Sequence, residues 1–285
     1  MARPLRVEYP GALCHITSRG NAGKDIYLSD TDRNNFLKIL QDVLYRFHWI
    51  CHAYCLMNNH YHLLIETADP NLSFGMRDLN GISTQHFNKR HRRTGHIFQG
   101  RFQASIIEKE SYLLAVARYI VLNPVRAGIV RHPKEWKWSS YCMTAGLARP
   151  HHALTIDWIL SCFSSRKSIA QKEYRFFINE GLRVSSPFKD RKDHFILGSP
   201  QFRTAIWERT NGSEVLKEIP RAERVVGRPT LKELFKNWKD IEERNRLICF
   251  ARTRCGYLNT EIAAFLKLHG STIGKIVRRN MTLRK

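Results

Sequence analysis

The sequence predicts an α+β protein: an antiparallel sheet carrying helices on one face in the first half, then a mostly α-helical C-terminal half. Three observations carry that expectation. Up to about residue 147, strand-length apolar runs and helical periodicities alternate in the order βαββαβα. Two of the strands are separated only by Asn58-Asn59, a turn short enough to require antiparallel neighbours. Beyond residue 148 the apolar spacing is that of short helices.

The elements follow in order. A strand over 12–17 ends in the turn Ser18-Arg19-Gly20-Asn21. Asp30 is placed to cap a helix that carries Phe36, Leu37, Leu40, Val43, Leu44 and Phe47 at helical spacing. Strands over 49–57 and 60–67 come next, then a helix over 73–91, a strand over 97–107 and a helix over 111–122. Pro124 should end that helix, because proline has no N–H for the next turn. Short helices over 156–163, 169–181 and 201–210 occupy a stretch without evident chemistry, whose expected role is to connect and position. A basic tail opens after Val225-Val226-Gly227-Arg228-Pro229. The expected domains are therefore 1–147, 148–227 and 228–285.

Charge narrows the function classes. The 285 residues contain 47 Lys+Arg against 25 Asp+Glu, a net charge of +22. Such an excess predicts a polyanionic partner, bound by charge neutralisation and counterion release, and nucleic acid is the expected one. It does not say whether that nucleic acid is read, copied or cut. With 43% hydrophobic and 25% charged residues the chain can bury a core and is not compositionally disordered. None of the seven cysteines forms a C-x-x-C pair, which argues against a zinc ribbon and a disulfide framework and for buried thiols in a reducing cytosol. No apolar run follows Met1-Ala2-Arg3-Pro4 and no stretch of 18 apolar residues occurs. The expectation is a cytoplasmic protein with no membrane partner.

The main chemical signal lies in Tyr54-Cys55-Leu56-Met57-Asn58-Asn59-His60-Tyr61-His62-Leu63-Leu64-Ile65-Glu66. Strand side chains alternate faces, so His60 and His62 point the same way and their imidazoles can share one metal ion, while Tyr61, Leu63 and Ile65 pack against helices. An H-x-H pair alone is weak, since two histidines on a half-buried strand are commonly structural; it gains weight only with a nucleophile and a further ligand beside it. The helix around Tyr112-Leu113-Leu114-Ala115-Val116-Ala117-Arg118-Tyr119-Ile120-Val121-Leu122-Asn123-Pro124 offers candidates. Tyr119 and Asn123 are four residues apart and share a helical face, though a tyrosine at such spacing is usually a core aromatic with its hydroxyl at the rim.

Four runs, taken together in order and spacing, resemble the REP-associated tyrosine transposases, bacterial members of the single-tyrosine HUH nucleases. They are Ile16-Thr17-Ser18-Arg19-Gly20-Asn21, the stretch from Tyr54 to Leu64 quoted above, Phe98-Gln99-Gly100-Arg101-Phe102, and Tyr119-Ile120-Val121-Leu122-Asn123-Pro124-Val125-Arg126-Ala127-Gly128. The resemblance covers roughly residues 5–147. One departure is Asn58, where such proteins often have proline. The resemblance implies a ferredoxin-like catalytic domain, Mg²⁺ or Mn²⁺ on His60 and His62, and Tyr119 as the nucleophile. It also implies a covalent 5′-phosphotyrosine intermediate and repetitive extragenic palindromes as target, in a bacterial, nucleoid-associated protein. By position Asn123 resembles the residue that completes the metal site from the tyrosine helix. Glu66, on the same strand face as the histidines but two pleats from His62, is the alternative ligand.

DNA contacts are expected in two places. His86 to Gln103 reads HFNKRHRRTGHIFQGRFQ, with Lys89, Arg90, Arg92, Arg93 and Arg101, no acidic residue, and Phe87, Phe98 and Phe102. Cations there can track phosphates, and any exposed aromatic can stack unpaired bases. Arg126 is a weaker candidate. The tail from Arg228 holds 14 Lys+Arg and 5 Asp+Glu. Leu247, Ile248, Phe250 and Ala251 suit one buried helix face. Asn259 can cap a helix with Ile262, Ala263 and Leu266 inward, and Ser271 a second with Ile273, Ile276 and Val277 inward. That leaves Thr272, Lys275, Arg278 and Arg279 for flanking duplex DNA. The pattern resembles the helix–turn–helix domain of the replication initiator DnaA over about 230–280.

The leading function class is a transposase-type nuclease that cuts and rejoins single-stranded or hairpin DNA. The second is a DNA-binding regulator with a vestigial site, and the third a metal-dependent phosphodiesterase that uses water. The intact set His60, His62, Tyr119 and Asn123 favours the first. The sequence leaves monomer and homodimer equally open.

Overall fold

Four strands, β1 (Ala12–Arg19), β2 (Trp49–Leu56), β3 (His60–Thr67) and β4 (Gln103–Ile107), form an antiparallel sheet in the order β2-β3-β1-β4. A two-residue strand, β5 (Ile196–Leu197), adds to β4 in parallel. The sheet is therefore mixed rather than purely antiparallel. The parallel addition is too short to leave an alternation in sequence. β4 is also shorter than expected: residues 97–102 are irregular, with Gly100 at a positive φ of 72°.

This computed structural model describes residues 7–188, 195–210, 229–253, 255 and 257–282. The chain divides into two compact units, Glu8–Gly198 and Ser199–Lys285 together with Met1–Val7. The boundary expected at 227–228 lies outside the described residues. Among the described residues no helix is long and apolar enough to cross a membrane.

In the first unit, α1 (Asp30–Phe47) and α2 (Leu72–His91) cover one face of the sheet, the face of Tyr61, Leu63 and Ile65. The Phe36 ring lies 4.8 Å from that of Tyr61, whose hydroxyl donates to Asn80 Oδ1 at 2.6 Å. Gly75 permits the close approach of α2, since a Cβ there would stand 2.2 Å from the Trp49 ring. α3 (Lys109–Arg126) covers the opposite face, bringing the Tyr119 ring to 5.9 Å from that of His62. Helices on a single face was thus the wrong expectation. The central strands β1, β2 and β3 are buried along nearly their whole length, on both faces, and a one-sided layer would leave one of these faces in water. Three further helices, α4 (Tyr141–Thr144), α5 (Asp157–Ser161) and α6 (Lys167–Glu180), complete the unit.

Pro124 does not end α3, which continues to Arg126. The proline nitrogen cannot bond the carbonyl of Ile120, one turn back. Asn123 supplies the missing donor: its Nδ2 lies 3.3 Å from Ile120 O and 3.0 Å from Tyr119 O. With that carbonyl satisfied, the helix gains another half turn.

The N-cap of α1 is Ser29 rather than Asp30. Asp32 is the third helical residue and closes a capping box, accepting from the backbone N–H groups of Leu28 and Ser29, each at 2.9 Å. The same carboxylate receives His91 Nε2 at 2.9 Å from the end of α2 and lies 3.5 Å from Arg90 Nε. One buried acid thus ties the start of α1 to the end of α2. Burial works to raise the Asp32 pKa, but His91, the Leu28 amide and the Ser29 hydroxyl outweigh it and hold it below the ordinary value.

In the second unit α7 (Pro200–Thr210) and α8 (Leu231–Leu234) precede three helices, α9 (Ile241–Thr253), α10 (Asn259–Leu266) and α11 (Gly270–Thr282). Ile248, Ala251, Ile262, Ala263 and Ile273 are buried together, with Leu247, Phe250, Leu266, Ile276 and Val277 packed against them. These are the inward positions read from the sequence. The caps differ. Asn259 is already helical, and Glu261 accepts the Leu258 N–H at 2.6 Å. α11 begins at Gly270, where His269 Nδ1 accepts the Ser271 N–H at 3.3 Å.

Asp32→Asn is expected to destabilise the protein by about 1–3 kcal/mol at pH 7 in urea unfolding, because the charge-assisted bonds lose the negative charge and one of their two acceptor oxygens. The folded pKa of Asp32 is depressed, so its contribution is present above the unfolded value of about 3.9 and fades as pH falls through the folded value. The gap between wild type and variant should narrow below about pH 4; a gap independent of pH would show that the charge of Asp32 does not carry the effect.

Candidate active site

The register of the sheet sets one face of the site. Thr17 pairs with His62 and Arg19 with His60 across β1 and β3, and Cys55 of β2 opposes His62 from the other side. His62 is buried and His60 half-buried. Their rings are 5.0 Å apart with planes at 81°, so they converge on one volume from two directions.

Each histidine has one nitrogen occupied. His60 Nδ1 is 2.7 Å from Asn59 Oδ1, and Asn59 Nδ2 in turn donates to Gly23 O at 3.0 Å. His62 Nδ1 is 3.0 Å from Nε2 of a third histidine, His15, on β1. His62 Nε2 is buried without a hydrogen-bond partner. Desolvation is the main cause that lowers all three pKa values: His15 to about 3, His62 well below 6.5, and His60 below 6.5 with Arg19 adding repulsion. The imidazoles are therefore neutral at pH 7, the form that binds metal.

The second wall of the site is α3. The Tyr119 ring stands edge-on to His62 at 5.9 Å and to His15 at 5.8 Å. Burial raises the Tyr119 pKa, while the Arg126 guanidinium, 5.1 Å from the ring centroid, and a hydrogen bond with Ser186 pull it back. Phe188 closes the group, 5.2 Å from the Tyr119 ring and 5.0 Å from His15. Asn123 lies one turn beyond Tyr119. Since its amide nitrogen must face two carbonyls, its Oδ1 is the atom left for a ligand.

A lone buried imidazole nitrogen, a second neutral imidazole and a carboxamide oxygen fit a divalent cation. Two nitrogen donors suit Mn²⁺ better than Mg²⁺, which favours an all-oxygen shell. Among the described residues no group of three His, Cys, Asp or Glu side chains is placed to hold a metal. Glu66, the alternative, is engaged elsewhere. Its oxygens each lie 2.7 Å from Lys109 Nζ, and Oε2 is 2.8 Å from His52 Nε2. Lys109 also stands 3.3 Å over the Trp158 ring, so this ion network pins α5 to the sheet.

The remaining sequence-predicted residues scatter. Lys89, Arg90, Arg92, Arg93 and Arg101 are exposed around the end of α2 and the loop after it, with Arg90 near Asp32 and Arg93 5.7 Å over Phe87. Phe87, Phe98 and Phe102 are buried and offer no stacking face to a base. Arg126 is drawn into the site, where it also donates to Val184 O at 3.0 Å. In the second unit Thr272, Lys275 and Arg279 are exposed on α11, and the side chain of Arg278 lies outside those described. Three residues at the site escaped the sequence reading: His15, Ser186 and Phe188. His15 could have been found by its alternation with Thr17 and Arg19 on β1; Ser186 and Phe188 carry no sequence signal.

The sheet thus sets a histidine pair on β3 against a tyrosine on α3. Residues 12–123 match the family model of the IS200-like transposases, from the first residue of β1 to Asn123. Among solved structures, a REP-associated tyrosine transposase bound to a REP hairpin is similar over 54% of this chain and 92% of its own, at 18% identity and a TM-score of 0.45. No curated protein matches the chain.

Replacing both His60 and His62 by alanine is expected to remove Mn²⁺ uptake measured by calorimetry while leaving the circular dichroism spectrum folded. Retained uptake would place the cation elsewhere.

Proposed function

We propose that the protein cuts and rejoins single-stranded or hairpin DNA through a covalent 5′-phosphotyrosine at Tyr119. One observation carries this reading: a partnerless, buried His62 Nε2 beside a neutral His60, with the Tyr119 ring 5.9 Å away across the sheet face. A nucleophile and a cation site then border the same volume, which a buried pair of purely structural histidines would not require.

The steps follow from the chemistry of the groups. Phenol is a weak nucleophile until its proton leaves, and Arg126 favours the phenolate against the cost of burial. The Tyr119 oxygen attacks phosphorus; a Tyr–O–P bond forms, the P–O3′ bond breaks, and the departing oxygen takes up a proton as a free 3′-OH. A divalent cation on His60, His62 and Asn123 would draw charge from a phosphate oxygen and steady the transition state. Attack by a 3′-OH on the phosphotyrosine reverses the step without an external energy source, since the ester bond is conserved.

Lys89, Arg90, Arg92, Arg93 and Arg101 are proposed to track the strand as phosphate contacts only, given that the nearby phenylalanines are buried. The motif resemblance points to repetitive extragenic palindromes as the target. In the second unit, the succession of α10 and α11 and their buried apolar positions support the proposal of a helix–turn–helix, with Thr272, Lys275, Arg278 and Arg279 proposed to meet flanking duplex. The proposed division of labour keeps chemistry within the unit Glu8–Gly198 and affinity for longer targets in the other.

Tyr119→Phe should give no denaturation-resistant adduct with a labelled hairpin and Mn²⁺, yet bind that DNA with wild-type affinity, because only the nucleophilic oxygen is lost. An adduct from the Phe chain would identify another attacking residue. Wild-type binding without any adduct would favour a DNA-binding regulator. A chain ending at Gly198 should still form the adduct at saturating hairpin and should bind long targets more weakly. If it stays folded and saturates with hairpin but cuts far more slowly, the second unit takes part in building the site.

A further inference from the structure

A neutral imidazole has one N–H and one lone pair, and a cation can bind only the nitrogen that carries the lone pair. In both candidate ligands the structure leaves Nε2 for the cation and places a fixed partner on Nδ1. The two partners, Asn59 and His15, differ in kind but constrain the proton alike.

Around His60 the constraint starts from a backbone carbonyl. Gly23 O can only accept, so the Asn59 amide must turn its nitrogen toward Gly23, at 3.0 Å. That turns Oδ1 toward His60 Nδ1, at 2.7 Å. An amide oxygen can only accept, so the His60 proton sits on Nδ1 and the Nε2 lone pair is free.

Around His62 the partner is another imidazole. The His15 and His62 planes differ by 5° and their centroids are 5.2 Å apart, with Nε2 of one 3.0 Å from Nδ1 of the other. A nitrogen separation that short at that centroid distance means rings lying edge to edge in one plane, the orientation of an in-plane hydrogen bond rather than of a face-to-face stack. Two proton placements satisfy the bond. If His15 donates, the His62 proton moves to Nε2, leaving a buried donor with no acceptor and presenting a positive edge to the cation site. If His62 donates, its Nε2 presents a lone pair to that site, matching His60. Only the second arrangement makes both histidines ligands at once.

We propose that His15 and Asn59 are positioning residues that hold His62 and His60 in the Nδ1–H tautomer and so aim both Nε2 lone pairs at one divalent cation. The inference rests on the metal reading of the site given above. It also accounts for a histidine buried on β1 in the middle of an apolar strand, where leucine or valine would pack at lower cost. Partners of this kind fix the ring orientation and basicity of a ligand, and their loss typically costs about 10–100-fold in metal affinity.

The test uses the full chain and Mn²⁺ alone as probe. Long-range ¹⁵N–¹H correlation spectra of the metal-free protein report the tautomer of each ring, and calorimetry reports Mn²⁺ affinity. His60 and His62 are expected in the Nδ1–H form. His15→Phe keeps an aromatic ring against Tyr119 and Phe188 but removes the acceptor; it should shift His62 toward the Nε2–H form and weaken Mn²⁺ by about 10–100-fold. Asn59→Ala should do the same through His60. His15→Gln, which returns an oxygen acceptor, should recover most of the affinity. A purely structural role would instead track melting temperature and give no rescue specific to an acceptor. Should His15→Phe fail to fold, the wild-type tautomers and the Asn59→Ala chain still decide. A wild-type His62 in the Nε2–H form, or unchanged affinity in folded His15→Phe and Asn59→Ala chains, overturns the proposal. A wild-type chain that takes up no Mn²⁺ while showing the expected tautomers overturns the metal reading on which it rests.

Discussion

Because β3 is hydrogen-bonded to β1 along one edge and to β2 along the other, none of its side chains can change face alone. A shift of one residue would exchange His60 and His62 for Tyr61 and Leu63 and drive imidazoles into the layer under α1 and α2. The apolar packing of Tyr61, Leu63 and Ile65 on that side therefore fixes the polar arrangement on the other. The histidines face α3 because their neighbours are core residues, and the free energy that holds the register comes from burial rather than from the site.

α3 answers to a comparable constraint. The tyrosine, the carboxamide and the arginine of the site fall within its last two turns, where a proline would ordinarily leave the helix frayed. The Asn123 side chain satisfies the carbonyl that Pro124 cannot, so the helix keeps its course to Arg126 and sets that guanidinium against the Tyr119 ring. The orientation that serves the helix also turns Asn123 Oδ1 away from the backbone. The end of the amide proposed to meet the cation is thus the end that the helix does not use.

The parts legible in the sequence are those with a short period. The β3 alternation identifies the histidine pair and its apolar counter-face, and helical spacing places Tyr119 and Asn123 on one face and the buried positions of α9, α10 and α11 inward. What stayed hidden depends on contacts across the chain. Ser186 and Phe188 reach Tyr119 from 67 and 69 positions away by the numbering, in a stretch with no motif of its own. His15 reads locally as one polar residue in an apolar strand and acquires meaning only beside His62. The layering was misjudged because apolar runs on β1 and β2 were assigned a single covered face, when α3 supplies a cover for the second. The basic arm showed its charges truly but not the burial of its phenylalanines. Asn58, an exception to the proline common at its place, gains a partner only in three dimensions: its Oδ1 accepts from Arg33 Nη2 at 2.7 Å, and that guanidinium lies among Tyr27, Trp136 and Trp138.

The central claim is that Tyr119 forms the bond to DNA, and its most direct measurement is the position of the adduct. After reaction with a single-stranded hairpin and Mn²⁺, nuclease trimming and trypsin separate Tyr119, on the peptide 119–126, from Tyr112, on the peptide 110–118. Tandem mass spectrometry should find a 5′-linked nucleotide on Tyr119 and an unmodified 110–118 peptide. A nucleotide on Tyr112 or any other residue, or DNA cut to a 5′-phosphate with every tyrosine unmodified at the earliest times, would contradict the account.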